Sequence, residues 1–323
     1  MMLRLDAQEL AVTRGGNKII QRVNLSLRGG ELVALLGPSG SGKSTLLKAL
    51  CGFSPGEGGL YLGDRELYSN FDEYRTKIGY VPQDDLVHQQ LSVLATLDYA
   101  SRLRLPSDIP EPLRKAKIKA LLAILELGEH QAKKVRSLSG GQRKRVSVAV
   151  ELLAEPPVLF LDEPTSGLDP ALEEASMKMF RNLTTSQRIT VVTTHVLTTL
   201  DCVDVVVFMC EGRVLFVGPP QYAAGHFEVD HLLSIYKVLT SERLEEHLQR
   251  FEESSVCKEF VSERLCQPRQ PIDWSAAGYE IERLESDVNS SEQCDISGRT
   301  LEHREKTPEE RLQELKAQRG KGQ

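Results

Sequence analysis

The 323-residue sequence predicts an α/β fold around a parallel sheet. Short apolar runs of β type, Glu31–Leu36, Val158–Leu161 and Ile189–Thr194, are separated by segments of helical periodicity. Strands that alternate with helices pack as parallel sheets. A glycine-rich loop follows the first run and opens a helix at Ser44–Leu50, the strand–loop–helix arrangement of a phosphate-binding turn. Hydrophobic residues make up 40% and charged residues 27%, which describes a globular chain, neither collagen-like nor bilayer-embedded.

Taken in order, Glu9 to about Leu27 alternates between polar and apolar residues and predicts strands, with Gly15-Gly16-Asn17 as the turn between two of them. Residues 58–81 predict further short strands, ending in Ile78-Gly79-Tyr80-Val81. From Ser92 the pattern turns helical. Ile118, Leu121, Leu122 and Leu125 share one helix face, and Arg114, Lys115, Lys117 and Lys119 fill much of the rest as a solvated surface. A helix after the glycine pair 140–141 runs to Leu153, and Ala171–Leu183 is a second. Beyond Gln221 the pattern is helical and amphipathic, as in Leu232, Leu233, Tyr236 and Leu239. From Pro268 it becomes polar and acidic, predicting a linker or disordered tail over 268–323 with one short helix after Pro308.

Several function classes are set aside by composition. The longest apolar runs, Leu32–Leu36 and Val205–Cys210, are far short of the ~20 residues of a membrane span. The N-terminus has an early acid and no apolar stretch of the secretory kind. Six cysteines lack any C-x-x-C spacing, so neither a disulfide framework nor a zinc cluster is expected, and a reduced compartment is. The net charge of -6 lies entirely in the last quarter: residues 1–240 hold 27 acids and 27 Lys or Arg, residues 241–323 hold 19 against 13. No nucleic-acid partner is expected from that balance.

Gly37-Pro38-Ser39-Gly40-Ser41-Gly42-Lys43-Ser44 fits G-x-x-x-x-G-K-[ST] between an apolar strand and a helix. Glycines let backbone N–H groups converge on phosphate oxygens, and the helix N-terminus adds positive potential. Lys43 is expected at the β- and γ-phosphates, with the Ser44 hydroxyl on Mg²⁺ and Thr45 beside it. The motif points to a nucleoside triphosphate. At the end of the run Val158–Leu161, Asp162 and Glu163 deliver two carboxylates where ligands bind in open α/β sheets. Successive strand residues point to opposite sides, so the two acids take different roles. Asp162 is the candidate for Mg²⁺, Glu163 for the general base that polarises the attacking water.

Leu138-Ser139-Gly140-Gly141-Gln142 completes the pattern. With it, residues 5–225 resemble the nucleotide-binding domain of ATP-binding cassette (ABC) transporters, whose signature is L-S-G-G-Q. Gln83 in Tyr80-Val81-Pro82-Gln83 matches the Q-loop of that family, Ser166-Gly167-Leu168-Asp169 the D-loop, and His195 the switch histidine. The resemblance implies a P-loop NTPase (RecA-like) core with an antiparallel β subdomain and an α-helical signature subdomain. It implies ATP and Mg²⁺ as ligands, and Glu163, His195 and Gln83 as the hydrolytic group. Ser44, Gln83 and Asp162 would serve the metal. The signature Ser139, Gly140, Gly141 and Gln142 would close over ATP held by a second nucleotide-binding domain, with Asp169 joining the two sites. Ser139 can cap the helix that follows, where Gly140 and Gly141 expose N–H donors. The other histidines (88, 130, 226, 231, 247 and 303) match no motif.

One departure concerns adenine. The family places an aromatic residue 29 positions before the lysine, and counting back from Lys43 reaches Arg14, with no aromatic nearby. A guanidinium plane can stack on a base; the alternative is a solvent-facing turn. Arg143-Lys144-Arg145 and the residues after them are similar to the G subfamily and to ABC-2-type exporters, as is Gly218-Pro219-Pro220 with a helix ending near Phe227. Without that resemblance the three cations would be ordinary surface charges. The division expected is a nucleotide-binding domain over 1–227, a helical extension over 228–267 and the tail. The implied activity is ATP hydrolysis that drives a transmembrane permease, in the export direction, at the cytoplasmic face of a membrane. Whether the permease is a separate chain, and whether the pair is a homodimer, stays open. A soluble ABC-type ATPase with a non-membrane partner is the alternative.

Overall fold

In the computed structural model, residues 3–84, 86–272 and 274 are described. Strands β1 (Arg4–Arg14) and β2 (Asn17–Arg28) form a long hairpin turning at Gly15 and Gly16, both at positive φ. β3 (Leu32–Leu36) leads through the glycine loop into α1 (Lys43–Leu50). β4 (Glu57–Leu62), β5 (Arg65–Glu66) and α2 (Phe71–Tyr74) precede β6 (Ile78–Val81). A helical stretch follows: α3 (Val93–Arg104), α4 (Glu111–Ile124) and α5 (Gly140–Leu152). Then come β7 (Val158–Leu161), α6 (Pro170–Leu183), β8 (Ile189–Thr193) and the hairpin β9 (Val205–Cys210) and β10 (Arg213–Gly218). The chain closes with α7 (Pro220–His226), α8 (Ile235–Val238), α9 (Leu244–Glu252), α10 (Ser255–Cys257), a π-turn at Lys258–Ser262 and α11 (Glu263–Cys266).

Two sheets result. One is antiparallel in the order β2-β1-β4-β5; the other has the order β10-β9-β3-β8-β7-β6 and is parallel except for β9 against β10. Every residue of β3, β7, β8 and β9 is buried. Strands covered on both faces need continuous apolar runs rather than alternation, which is why these segments stand out in the sequence. The β9–β10 hairpin was not predicted; its only local mark is the Glu211-Gly212 turn, with both residues at positive φ.

Two expectations about surface charge change. Ile118, Leu121, Leu122 and Leu125 are buried as predicted, but Lys117 is buried with them and pairs with Glu155 at 2.5 Å. It is no part of a solvated face. Arg143, Lys144 and Arg145 are half-buried and grip backbone carbonyls. Arg143 donates to Leu138 O at 2.9 Å, Lys144 to Pro82 O at 3.0 Å and Gln83 O at 2.7 Å, and Arg145 to Glu126 at 2.5 Å and Leu125 O at 3.5 Å. Successive helix residues project about 100° apart, so three adjacent cations reach three different segments.

The last helices return to the first sheet. Arg264 donates to Ser26 O at 3.1 Å and pairs with Glu31 at 2.8 Å, while Arg4 donates to Arg264 O at 3.2 Å and Gln267 O at 3.1 Å. Packing continues past Pro268, where the polar tail was expected to begin. Arg269 lies over the Tyr61 ring at 3.5 Å and beside Asp6, and Trp274 meets Tyr74 at 5.9 Å. The described residues belong to one compact unit, Met1–Gly278. The remainder of the predicted tail, with its helix after Pro308, lies outside the described residues. No helix among the described residues is long and apolar enough to cross a membrane.

Candidate functional site

The glycine loop is shaped by close approach. A side chain on Gly37, whose φ is 152°, would place Cβ 2.2 Å from Met209 O, and one on Gly42, φ 101°, would meet Ile20 at 2.8 Å. Both conformations belong to glycine. At Gly40, φ 80°, a Cβ would have nothing within 4 Å, so the loop turns bare backbone toward open space. Gly42 caps α1 with no side-chain hydrogen bond, which leaves the first N–H groups of that helix without a side-chain partner.

A cavity of about 570 Å³ opens there, lined by Ile19, Ser39, Gly40, Gly42, Lys43, Ser44, Thr45, Gln83, Glu163 and His195. Three residues far apart in sequence, Gln83, Glu163 and His195, thus share one wall with the phosphate loop. Gly37, Pro38 and Ser41 shape the loop from behind: Ser41 is buried, its Oγ lacks a partner, and its carbonyl accepts from Gly212 N at 2.9 Å. Lys43 Nζ donates to Gly37 O at 2.8 Å and Pro38 O at 3.0 Å. Burial lowers its pKa from the usual lysine value, while the negative charges of Glu163 and Asp162 oppose that drop.

Asp162 and Glu163 take separate places, as the strand geometry requires. Asp162 is 3% exposed; its Oδ1 accepts from Ser44 Oγ at 2.9 Å and from Thr193 Oγ1 at 2.8 Å. Tyr80 Oη faces the other carboxylate oxygen at 3.4 Å; burial, and after it the Asp162 charge, raise the phenol's pKa. Glu163 stands beyond the strand end with φ 45°, a left-handed conformation uncommon for a residue with a Cβ. Its N–H donates to Thr193 Oγ1 at 2.7 Å, and its Oε2 accepts from Gln83 Nε2 at 3.0 Å. Thr193 therefore fastens both acids through one hydroxyl. Nothing in its neighbours marks Thr193 for that task. Ser44 and the buried Asp162 carboxylate, with the Gln83 amide nearby at Glu163, form an oxygen-rich set suited to a hard divalent cation.

The signature segment lies elsewhere: none of Ser139, Gly140, Gly141 and Gln142 lines the cavity. They form the start of α5, where Ser139 Oγ accepts from Gln142 N at 3.3 Å and Gln142 Oε1 accepts from Ser139 N at 3.0 Å, a complete capping box. Gln142 also contacts His130 Nε2 at 2.9 Å, which gives one of the unassigned histidines a structural place. Ser139 and Gly140 are exposed. Asp169 caps α6, its Oδ1 accepting from Ala171 N and Leu172 N, and Leu168 sits against Gly141.

Arg14 does not line the cavity. It is exposed, and its guanidinium donates to Ser54 Oγ at 2.9 Å. The apolar side chain on the cavity wall is Ile19, across the same hairpin. A β-branched residue in a strand pattern carries no local mark of a place on a cavity wall.

Comparison with known proteins places these features. Residues 20–166 match the family described as ABC transporter. The chain is 44% identical over 219 residues to the ABC transporter ATP-binding/permease protein Rv1747 of Mycobacterium tuberculosis, covering 67% of this chain and 25% of that protein. It is 39% identical over 189 residues to ABC transporter G family member 28 of Arabidopsis thaliana, covering 56% of this chain and 17% of the relative. These matches therefore span a quarter or less of each relative's length. Among solved structures, cbiO1 from Clostridium perfringens, part of the transporter complex cbiONQ, superposes with a TM-score of 0.63 at 29% identity, over 68% of this chain and 90% of that one. The dimeric, ADP- and phosphate-bound cassette MJ0796 gives 0.60 at 25% identity, over 67% and 98%.

Proposed function

The chain carries the ATP-binding domain of an ABC transporter of the G-family type, and on that premise we propose that it hydrolyses ATP as a head-to-tail pair and drives a transmembrane permease in the export direction. The observation that carries this reading is the single wall shared by Lys43, Ser44, Gln83, Glu163 and His195.

The loop's N–H groups and Lys43 hold the β- and γ-phosphates, and Ile19 packs against the base. Ser44, Asp162 and Gln83 would hold Mg²⁺, which supplies positive charge to the phosphate oxygens as negative charge develops there. Glu163 accepts the proton of the attacking water as oxygen adds to phosphorus and the bond to the leaving diphosphate breaks. Gln83 donates to that carboxylate, and Thr193 holds the residue's backbone by accepting from its N–H. His195 contacts the γ-phosphate and keeps the water in line. The exposed start of α5 supplies Gly140 and Gly141 N–H donors to the nucleotide of a second copy, with Asp169 at the seam. The related cassette of the MJ0796 structure is dimeric and holds ADP and phosphate. The relative Rv1747 is named as ATP-binding and permease protein together, which supports a permease partner and attachment to a membrane through it.

Replacing Glu163 with Gln tests the reading. Turnover should fall on the order of 10² to 10⁴-fold, while ATP-dependent pairing of chains strengthens. Unchanged turnover would remove Glu163 as the base. Capture of the same variant from native membranes with Mg-ATP should bring down a multi-span permease; a catch of soluble factors alone would favour a cassette ATPase with a non-membrane partner.

A further inference from the structure

We propose that Lys144 is a positioning residue that transmits engagement of the α5 start to the hydrolytic carboxylate of the same chain. The inference rests on the hydrolytic reading of Glu163 given above. Lys144 lies in the second turn of α5, directly behind the capping box of Ser139 and Gln142. Its ammonium donates to two consecutive carbonyls, Pro82 O at 3.0 Å and Gln83 O at 2.7 Å. Those carbonyls follow the end of β6 at Val81, the last residue of the strand's ladder with β7. They need donors that the sheet does not provide, and an ammonium supplies several from one point. The Gln83 side chain then donates to Glu163 at 3.0 Å.

A continuous path of short contacts thus runs from the exposed start of α5, through Lys144, along the Gln83 backbone and its amide, to the Glu163 carboxylate. Arg143 donates to Leu138 O and Arg145 to the end of α4, while Lys144 donates to the Pro82 and Gln83 carbonyls. When the phosphates of a second copy's nucleotide dock on the start of α5, any displacement of that helix carries Gln83 with it. Occupation of one site then sets the geometry of the carboxylate in the other. A hydrogen-bonded ammonium couples helix and loop as a unit, where apolar packing would allow slip.

The test compares the full chain with Lys144→Met, which keeps the aliphatic stem, and Lys144→Arg. In the parent, turnover should rise with ATP at a Hill coefficient above 1, as two coupled sites require. Lys144→Met should bring that coefficient to about 1 and reduce maximal turnover about tenfold, within the range of coupling residues. Its ATP dissociation constant should stay within about twofold of the parent, which also confirms folding, and Lys144→Arg should recover cooperativity. Hydrogen exchange of the 79–84 segment gives a second readout: ATP should slow it in the parent and not in Lys144→Met. A Met variant that keeps both the cooperativity and the ATP-induced protection overturns the proposal while leaving the ATPase intact. A parent without turnover instead refutes the hydrolytic reading; ATP-induced protection that survives Lys144→Met then overturns the role of Lys144 as well.

Discussion

Two helix starts in this chain carry the phosphate contacts proposed above, and they are built differently. At α1 the cap is a glycine with no side-chain bond, the lysine is buried, and the loop closes on a cavity with three distant residues on its wall. At α5 the cap is a serine in a reciprocal box with Gln142, the surface is exposed, and none of its capping residues lines that cavity. The first end is organised by burial within its own chain. The second is held in shape by its own capping box and by Gln142 on His130, with Ser139 and Gly140 facing solvent. Self-capping orders the start of α5 through its own residues, whereas α1 starts without a side-chain cap, at residues that line the cavity.

The strongest way to break this comparison is complementation. Lys43→Ala should abolish turnover by damaging the α1 end. Gly140→Asp should do so by placing a carboxylate at the α5 end, where a Cβ meets nothing within 4 Å and the helix dipole favours the acid, so folding is spared. Mixed together, the two inactive chains form pairs in which one composite site carries both lesions and the other carries none. ATPase should return to roughly a quarter of the parent level for random pairing of independent sites, and less if the two sites are coupled. A dead mixture would mean that the two ends do not meet across copies.

Acid should expose a third kind of construction. His226 is pushed down to about 4 by burial first and by the His247 charge second; Arg250 adds to the drop and a backbone bond at Leu215 opposes it. The folded state prefers neutral imidazole, so this stabilisation is complete above the unfolded value near 6.5 and is lost as pH falls toward 4. After discounting for partial exposure the contribution is on the order of 2 kcal/mol. Melting temperature measured from pH 7 to pH 4.5 should fall more steeply in the parent than in His226→Gln. Parallel slopes would show that the ring packing against Phe216, Phe227 and Phe251 contributes nothing through charge.

The smallest effects separate the two faces of the first hairpin. Ile19→Ala should weaken ATP binding about three- to tenfold by removing apolar contact. Arg14→Ala should leave it within about twofold, since that side chain is engaged with Ser54. Calorimetric titration of both variants decides the point, and a reversed order would restore Arg14 to the base.

What could be read in the sequence were the features with a local or periodic cause. The strand–loop–helix at Gly37–Ser44, the apolar runs of the parallel sheet and the cap of α5 are written in neighbouring residues. What escaped has its cause in distant ones. Lys117 looks like its neighbours Lys115 and Lys119, and only the approach of Glu155 draws it inside. Thr193 ties Asp162 to Glu163 across two strands 30 residues apart. Lys144 grips carbonyls 61 and 62 positions earlier. Spacing of that kind has no period, so no window of sequence displays it.

The arginines near the end of the described chain carry a consequence for synthesis. The β1–β2 hairpin is synthesised long before one of its partners: the guanidinium that binds Ser26 O and pairs with Glu31 belongs to Arg264, 238 residues after Ser26. At about 5–20 residues per second, that hairpin waits on the order of 12 to 50 seconds for this partner. Until then Glu31 lacks this counter-charge and the sheet face that will receive Arg264 stays uncovered. A ribosome that stalls between these two segments therefore carries a hairpin that is complete in sequence but still incomplete in structure.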